Sequence, residues 1–461
     1  MNGFSFREHR PSILVASLSA AFGVSLLQVT SNLALAITSD DVLGSSVALK
    51  LFLQVIAIVF IIIATYVGAV VTANTFSTII AGRTRTIALL RLVGATAASQ
   101  RRAVAREGLM VGIIGAIIGT VAGSLVTLGL VLTGIALGFI PSIAYTYLEP
   151  VILIPIVAVV LTTWTASWVG SRRVLLVTPM QATGAALEES REEAAGHRGR
   201  NRAALTLFII GTAILALAVV VGLQSPVGLL VGVFGGIISF TGLILGAELV
   251  MPPTLRLVGR MLGKSPSARL AAENAVRYPE RSSRMTIGLV IGVTLVTMFA
   301  VAAATFQKAL SPMADAADVD PLLNGIVAVF SVLIGFSALI AAVGLVNNLS
   351  LSVIQRTREL GLLRALGFTS RQLRGMVRSE AAQLTAAAVI VGLVLGIGYG
   401  WVGAQSFVGT APGVGGLMAP VIPLWLIAAV VVAGAVLTAV ASVAPTRRAT
   451  SIAPVVALAV E

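Results

Sequence analysis

The chain has 461 residues, of which 57% are hydrophobic and only 11% are charged, and a soluble globular protein is excluded because it could not cover that much apolar surface. The absence of cysteine excludes disulfides, thiol nucleophiles and thiolate metal sites. A net charge of +13 would suit nucleic acid, but the basic residues are sparse and few aromatic residues lie between them. We therefore predict an all-α polytopic membrane protein that binds no nucleic acid.

Four apolar stretches in the first part of the chain are long enough to cross a bilayer, which takes about 20 residues. The first is too long for the apolar region of a signal peptide, so we predict a retained span. The third contains Gly115, Gly119 and Gly123, a spacing that lets a neighbouring helix approach closely. The predicted spans are 13–37, 51–80, 108–138 and 151–170.

The middle of the chain combines two charged segments with two further spans, 204–223 and 227–250. Gly263-Lys264-Ser265 matches the last three residues of a phosphate-binding loop motif. The motif also needs a glycine five residues earlier, where this chain has Val258, and a buried strand before the loop, which is not predicted here. We therefore predict no nucleotide site within this chain.

Four more spans follow, at 285–307, 322–351, 381–404 and 421–444, which makes about ten in a 4+2+4 arrangement. Gly392, Gly396 and Gly400 repeat the small-residue spacing of the third span. The external loops 38–50 and 308–321 are too short to fold alone, so no large extracytoplasmic domain is expected. The predicted units are a first four-span module (1–182), a charged linker (183–203), a two-span connector (204–250), a basic connector (251–284) and a second four-span module (285–461).

The basic residues predict the orientation. All of the 31 lysines and arginines except Lys50 and Lys308 fall on the side that holds both termini. The positive-inside rule makes that side the cytoplasm. We therefore expect a multi-pass protein of the cell inner or plasma membrane, with both termini in the cytoplasm.

A polar stretch, 346–380, separates two long apolar runs of the second module. Its arginines stand among leucines spaced by three and four residues, a pattern that predicts an amphipathic helix along a membrane surface or against a partner. After a shift of 273 residues, residues 83–94 match 356–367 at seven of twelve positions. We call these two runs the first and second islands, and their similarity indicates an internal duplication.

The second island reads Arg-Thr-Arg-Glu-Leu-Gly-Leu-Leu-Arg-Ala-Leu-Gly, and Glu380 follows at the head of a glycine-rich span. This pattern resembles the signature of FtsX-like permeases, the membrane subunits of one class of ABC transporters and mechanotransmitters. The resemblance covers residues 1–182 and 268–461. Only the first island departs from it, with Thr86 and Ala88 in place of Glu359 and Gly361.

The resemblance implies a separate ABC ATPase, expected as a dimer, that binds ATP and magnesium and docks under the islands. This chain would itself bind no cofactor and catalyse no reaction. Leucines of an amphipathic island helix would enter a groove on the ATPase, and arginines would hold the rim. The implied coupling residues are Arg356, Arg358, Glu359, Gly361, Leu363, Arg364 and Gly367 in the second island, with Arg83, Arg85, Leu90, Arg91 and Gly94 in the first.

Three functions are compatible with this organisation. The first is an ABC permease that exports a hydrophobic or amphipathic compound, peptide or lipid. The second is a non-transporting transmitter or sensor that relays ATPase cycles to an external enzyme or a signalling kinase, and the short external loops count against it. The third, an ion-coupled carrier, is disfavoured because the spans lack midplane charges, Glu248 lying at a span end. The substrate is not predicted.

Overall fold

The computed structural model describes residues 6–38, 88–90, 92–136, 150–171, 198–225, 227–261, 266–277, 279–310, 366–409 and 416–451, with isolated positions between 58 and 73, 142 and 145, and 334 and 339. Within these residues the chain is helical apart from short turns. The predicted all-α membrane fold is therefore confirmed.

Ten α-helices are described, and a short 3-10 helix, Pro150–Ile152, precedes the third of them. Their bounds are α1 Phe6–Thr38, α2 Ala97–Ala136, α3 Leu153–Gly170, α4 Arg198–Gly222, α5 Gly228–Leu245, α6 Ala247–Met261, α7 Pro266–Arg277, α8 Pro279–Leu310, α9 Ser370–Val408 and α10 Leu424–Ser451.

Seven of these helices are long and apolar enough to cross a membrane: α1, α2, α3, α4, α5, α8 and α9. In α10 the described apolar part is the shorter segment Leu424–Val436. Predicted spans 51–80 and 322–351 fall largely outside the described residues. The count of ten spans, the 4+2+4 order and the predicted domain boundaries therefore stay predictions.

Helix lengths differ from the predicted spans where polar residues extend the helix beyond the bilayer. The 40 residues of α2 make a helix about 60 Å long, twice the hydrocarbon thickness of a membrane. The sixth span ends at Leu245 and not at Val250, because Gly246 breaks the helix before α6 begins. The described residues of the basic connector are helical as well, since most of α6, all of α7 and the first turns of α8 lie in it.

The same crossing occurs once in each module. A side chain at Gly119 of α2 would meet Ala20 of α1 at 2.5 Å, and one at Gly392 of α9 would meet Val293 of α8 at 2.7 Å. The 273-residue shift that relates the islands also relates these two pairs. The duplication therefore extends from the islands to the first and third spans of each module.

The main hydrophobic core is shared between the modules and the connector. It contains Phe22 of α1, Phe240 of α5, Met251 of α6, Phe299 of α8 and Leu384 of α9. Both modules, the two-span connector and the basic connector thus contribute to one core.

Candidate functional site

Each island ends in a turn that only glycine adopts without strain. The backbone φ is +103° at Gly94 and +97° at Gly367, a region where a Cβ would crowd the following carbonyl group. In the first copy the Ala95 N–H donates to the Leu90 carbonyl oxygen at 2.9 Å, the bond that closes a Schellman turn. Of the predicted coupling residues, Gly94 ends the helical segment described at 88–92, and Gly367 lies in the equivalent turn of the second copy.

A threonine two residues after each glycine caps the long helix that follows. The Ser99 N–H donates to the Thr96 hydroxyl oxygen at 3.1 Å, and the Gln372 N–H donates to that of Thr369 at 3.2 Å. The Gln372 side-chain oxygen also accepts from the Thr369 N–H at 2.9 Å, which completes a capping box. The turn and the cap together set the direction of each island relative to α2 or α9.

Apolar side chains are exposed at both island ends. Val93 is 88% exposed and Leu366, its equivalent in the second copy, is 72% exposed. Leu90, another predicted coupling residue, is 43% exposed. Exposed apolar side chains next to a rigid turn are typical of an interaction surface.

The other predicted coupling residues fall outside the described residues, and their role stays a prediction. They are Arg83, Arg85, Arg91, Arg356, Arg358, Glu359, Gly361, Leu363 and Arg364.

The structure adds a contact near the first island that sequence reasoning missed. The guanidinium of Arg101, in the first turns of α2, lies 3.9 Å from the ring centroid of Trp168 near the end of α3. Its Nε donates to the Ser171 hydroxyl oxygen at 3.3 Å. Arg101 is 67 or more residues away from Trp168 and Ser171 in the chain. Nothing in the basic run around Arg101 indicates this cation–π contact in the sequence.

An apolar cavity of about 180 Å³ lies where the two modules meet the two-span connector. The first module contributes residues from its first two spans, the connector from α4 and α5, and the second module from α8 and α9. The lining residues include Thr30, Ile63, Tyr66, Leu215, Gly236, Phe240, Thr294, Met298, Phe306, Tyr399, Gly403 and Phe407.

Three aromatic rings form one wall of this cavity and join its three parts. Phe240 packs edge-on against Tyr66 and Tyr399, with ring centroids 6.5 and 6.2 Å away. The Tyr66 hydroxyl is 2.8 Å from the Thr241 hydroxyl, and the Tyr399 hydroxyl is 3.0 Å from that of Ser239. Both tyrosines are thus hydrogen-bonded to α5, so their ring faces contribute apolar wall.

The Thr294 hydroxyl differs from the hydrogen-bonded tyrosine hydroxyls of the cavity wall. Thr294 lines the cavity and is only 2% exposed, and its hydroxyl has no hydrogen-bond partner among the described residues. Buried hydroxyl groups are normally paired, since an unpaired one costs about 1–3 kcal/mol. A ligand with a polar group could pair with Thr294 while the rest of it contacts apolar side chains.

Comparison with known proteins supports the resemblance seen in the islands. The model of the FtsX-like permease C-terminal family matches residues 58–179 and 331–454. The uncharacterized ABC transporter permease YknZ of Bacillus subtilis (strain 168) is 39% identical over 66 residues, which are 14% of this chain and 16% of that protein. The uncharacterized ABC transporter permease MJ1507 of Methanocaldococcus jannaschii is 35% identical over 74 residues, 16% of this chain and 18% of that protein.

The chain therefore spans less than a fifth of the length of these curated relatives. The family model, by contrast, matches about half of the chain and does so twice, once in each predicted module. Each match includes one island and the glycine turn that ends it. The protein belongs to the FtsX-like permease family, with two copies of the family's domain in one chain.

Proposed function

We propose that the protein is the membrane subunit of an ABC transporter that exports a hydrophobic or amphipathic compound, peptide or lipid. The observation that carries this proposal is the apolar cavity between the two modules and the connector. A substrate that enters from the bilayer needs an apolar site at membrane depth, and binding sites are commonly formed where structural units meet. Movement of one module against the other would change the shape of such a site.

Energy for export would come from a separate ATPase dimer that binds ATP and magnesium and docks at the two islands. Exposed Val93 and Leu366 would enter grooves on the ATPase, and the glycine turns would pass its movement to α2 and α9. The chain itself would then be non-catalytic. The protein would be located in the cell membrane, with both termini and both islands in the cytoplasm.

A non-transporting transmitter is the alternative. The predicted external loops 38–50 and 308–321 would offer such a protein little surface for an external enzyme. The cavity favours transport, because a transmitter does not require an apolar site shared by both modules.

The cavity can be filled without disturbing the backbone. Gly403 lines it and has no atom near the position of a Cβ, whereas Gly398, on the same helix, is equally unobstructed but lies outside it. We expect Gly403→Leu to lower the amount of bound small molecule at least about fivefold, because the leucine side chain takes up space in the cavity that a ligand needs, and overpacking the occupied cavity costs about 1–3 kcal/mol. Gly398→Leu is the matched control and should behave like the parent.

The measurement is mass spectrometry of organic extracts from the permease–ATPase complex, purified from membranes at equal protein amounts. Equal recovery of bound molecules from Gly403→Leu and the parent would argue against the cavity as the substrate site.

Docking at the islands is tested at the two exposed equivalent positions. Val93→Asp and Leu366→Asp each bring an unpaired carboxylate into an apolar contact, which should cost a few kcal/mol of ATPase binding. Because both side chains are exposed in the permease, its thermal unfolding should not change. We expect Leu366→Asp to be the more damaging, since the second island keeps Glu359 and Gly361.

The readout is co-purification of the ATPase with the full chain, and Glu273→Lys, at an exposed charged position on α7, is the control. Normal ATPase recovery with both aspartate variants would refute docking at the islands.

A further inference from the structure

The outer face of α6 carries an apolar stripe beside two arginines. Leu249, Leu257 and Met261 are exposed, and with Pro253 they recur every four residues along the helix. Arg256 and Arg260 are exposed on the same side. Residues four apart share one face of an α-helix, so the stripe is continuous.

The opposite face of α6 is buried in the protein. Met251, Leu255 and Val258 belong to the main hydrophobic core. The exposed apolar stripe is therefore not the face that packs against the rest of the chain, and it needs a different environment.

Contacts at both ends of α6 place it where the spans enter the membrane. The helix begins directly after α5, whose 18 residues rise about 27 Å and so nearly cross the hydrocarbon layer. Glu248 in its first turn pairs with Arg200 in the first turn of α4. Further along, the Leu255 carbonyl oxygen accepts a hydrogen bond of 2.7 Å from the Gln383 side chain, near the start of the apolar part of α9.

The next helix has the opposite surface. Arg269, Glu273 and Arg277 are exposed at four-residue intervals on α7, while Ala271 and Ala275 are buried. A charged stripe of this kind faces water. The exposed face of α6 is therefore apolar and basic, whereas that of α7 is charged. This change is expected where a chain passes from the membrane surface into water.

We propose that α6 lies in the headgroup layer on the side of the islands, where Arg256 and Arg260 bind the phosphate groups of anionic phospholipids. Leu249, Leu257 and Met261 enter the acyl boundary beneath them, as in other interfacial amphipathic helices. Each arginine near an anionic surface favours binding about fivefold.

The depth of α6 in the membrane is measured first, in the full chain reconstituted into phospholipid nanodiscs. Because the chain has no cysteine, Leu257→Cys and Glu273→Cys can each be labelled with one fluorophore. Phosphatidylcholine carrying a spin label near its headgroup should quench the fluorophore at position 257 and leave the one at 273 bright. Equal quenching at both positions, or none at 257, would overturn the proposal.

Lipid preference is measured next, from displacement of spin-labelled phosphatidylglycerol at position 257 by unlabelled lipids. Phosphatidylglycerol should compete about 25-fold better than phosphatidylcholine, and Arg256→Gln with Arg260→Gln should abolish the difference. Arg256→Lys with Arg260→Lys keeps the charge and should retain most of the preference. Equal competition by the two lipids in the parent, or an undiminished preference in the glutamine variant, would show that these arginines do not select anionic lipid.

Discussion

Single glycines serve two different physical purposes in this chain. At Gly94 and Gly367 a Cβ would meet no atom within 4 Å, so space is not the reason for glycine there. The reason is the positive φ of the turn. At Gly119 and Gly392 the helix is regular and the reason is space, because the neighbouring helix occupies the position of a side chain.

The turn glycines lead to a prediction about backbone conformation alone. Gly94→Ala and Gly367→Ala should each destabilise the turn by about 1–2 kcal/mol, because alanine disfavours positive φ. Gly398→Ala, in an exposed and regular part of α9, should be neutral or stabilising by about 0.5–1 kcal/mol. Thermal unfolding of the purified full chain in detergent measures all three, and turn variants as stable as Gly398→Ala would contradict the assignment.

At the scale of helices, the two modules share the crossing of their first and third spans, but the contact between their third and fourth spans uses different residues. Gly112 of α2 faces the Thr163 side chain of α3. Its equivalent after the 273-residue shift is Thr385, which accepts a hydrogen bond of 2.8 Å from Thr438 of α10 and packs against Gly434. The small residue has moved to the other helix, so close approach is kept although the residue pair has changed.

The repeated crossing predicts equal sensitivity in the two copies. Gly119→Leu and Gly392→Leu insert a side chain where the partner helix lies, and each should cost about 1–3 kcal/mol or more through overpacking. Gly129→Leu and Gly398→Leu meet open space and should cost little. Unfolding in increasing sodium dodecyl sulfate, followed by circular dichroism, provides the comparison. If the second pair were as damaging as the first, general helix disruption and not the crossing would be responsible.

At the scale of the whole molecule, the connector joins the modules. Phe240 of α5 touches Tyr66 of the first module and Tyr399 of the second. At the end of α4, Gly222 lies so close to Ser406 of α9 that a side chain would collide with its backbone. The connector therefore belongs to the wall of the cavity and would sense movement of either module.

The predicted topology is tested with single cysteines in this cysteine-free chain. Because basic residues mark the cytoplasmic side, cysteines replacing Ser45, Ala316 and Gly413 should react in intact cells with an impermeant thiol reagent. Cysteines replacing Ala97, Ala195 and Ser370 should react only after the membrane is permeabilised. Labelling of Ala195→Cys from outside would contradict the ten-span arrangement.

The sequence by itself determined the membrane class, the positions of the described spans and the duplicated islands. It could do so because each spanning helix satisfies its own backbone hydrogen bonds within lipid, so length and hydropathy along the chain are sufficient. The family resemblance followed from a short local pattern, because the Arg-Thr-Arg-Glu-Leu-Gly run and Glu380 lie close together in the chain.

Only the tertiary structure decided which faces of the helices meet. The glycine spacings of α2 and α9 indicated one packing face each, but a helix that is apolar on all sides otherwise carries no signal of its packing face, so neither the cavity nor the Tyr66–Phe240–Tyr399 wall could be read from hydropathy. The same holds for Arg101 over Trp168, whose contact joins distant parts of the chain. These contacts depend on long-range packing, which the local composition of a span does not encode.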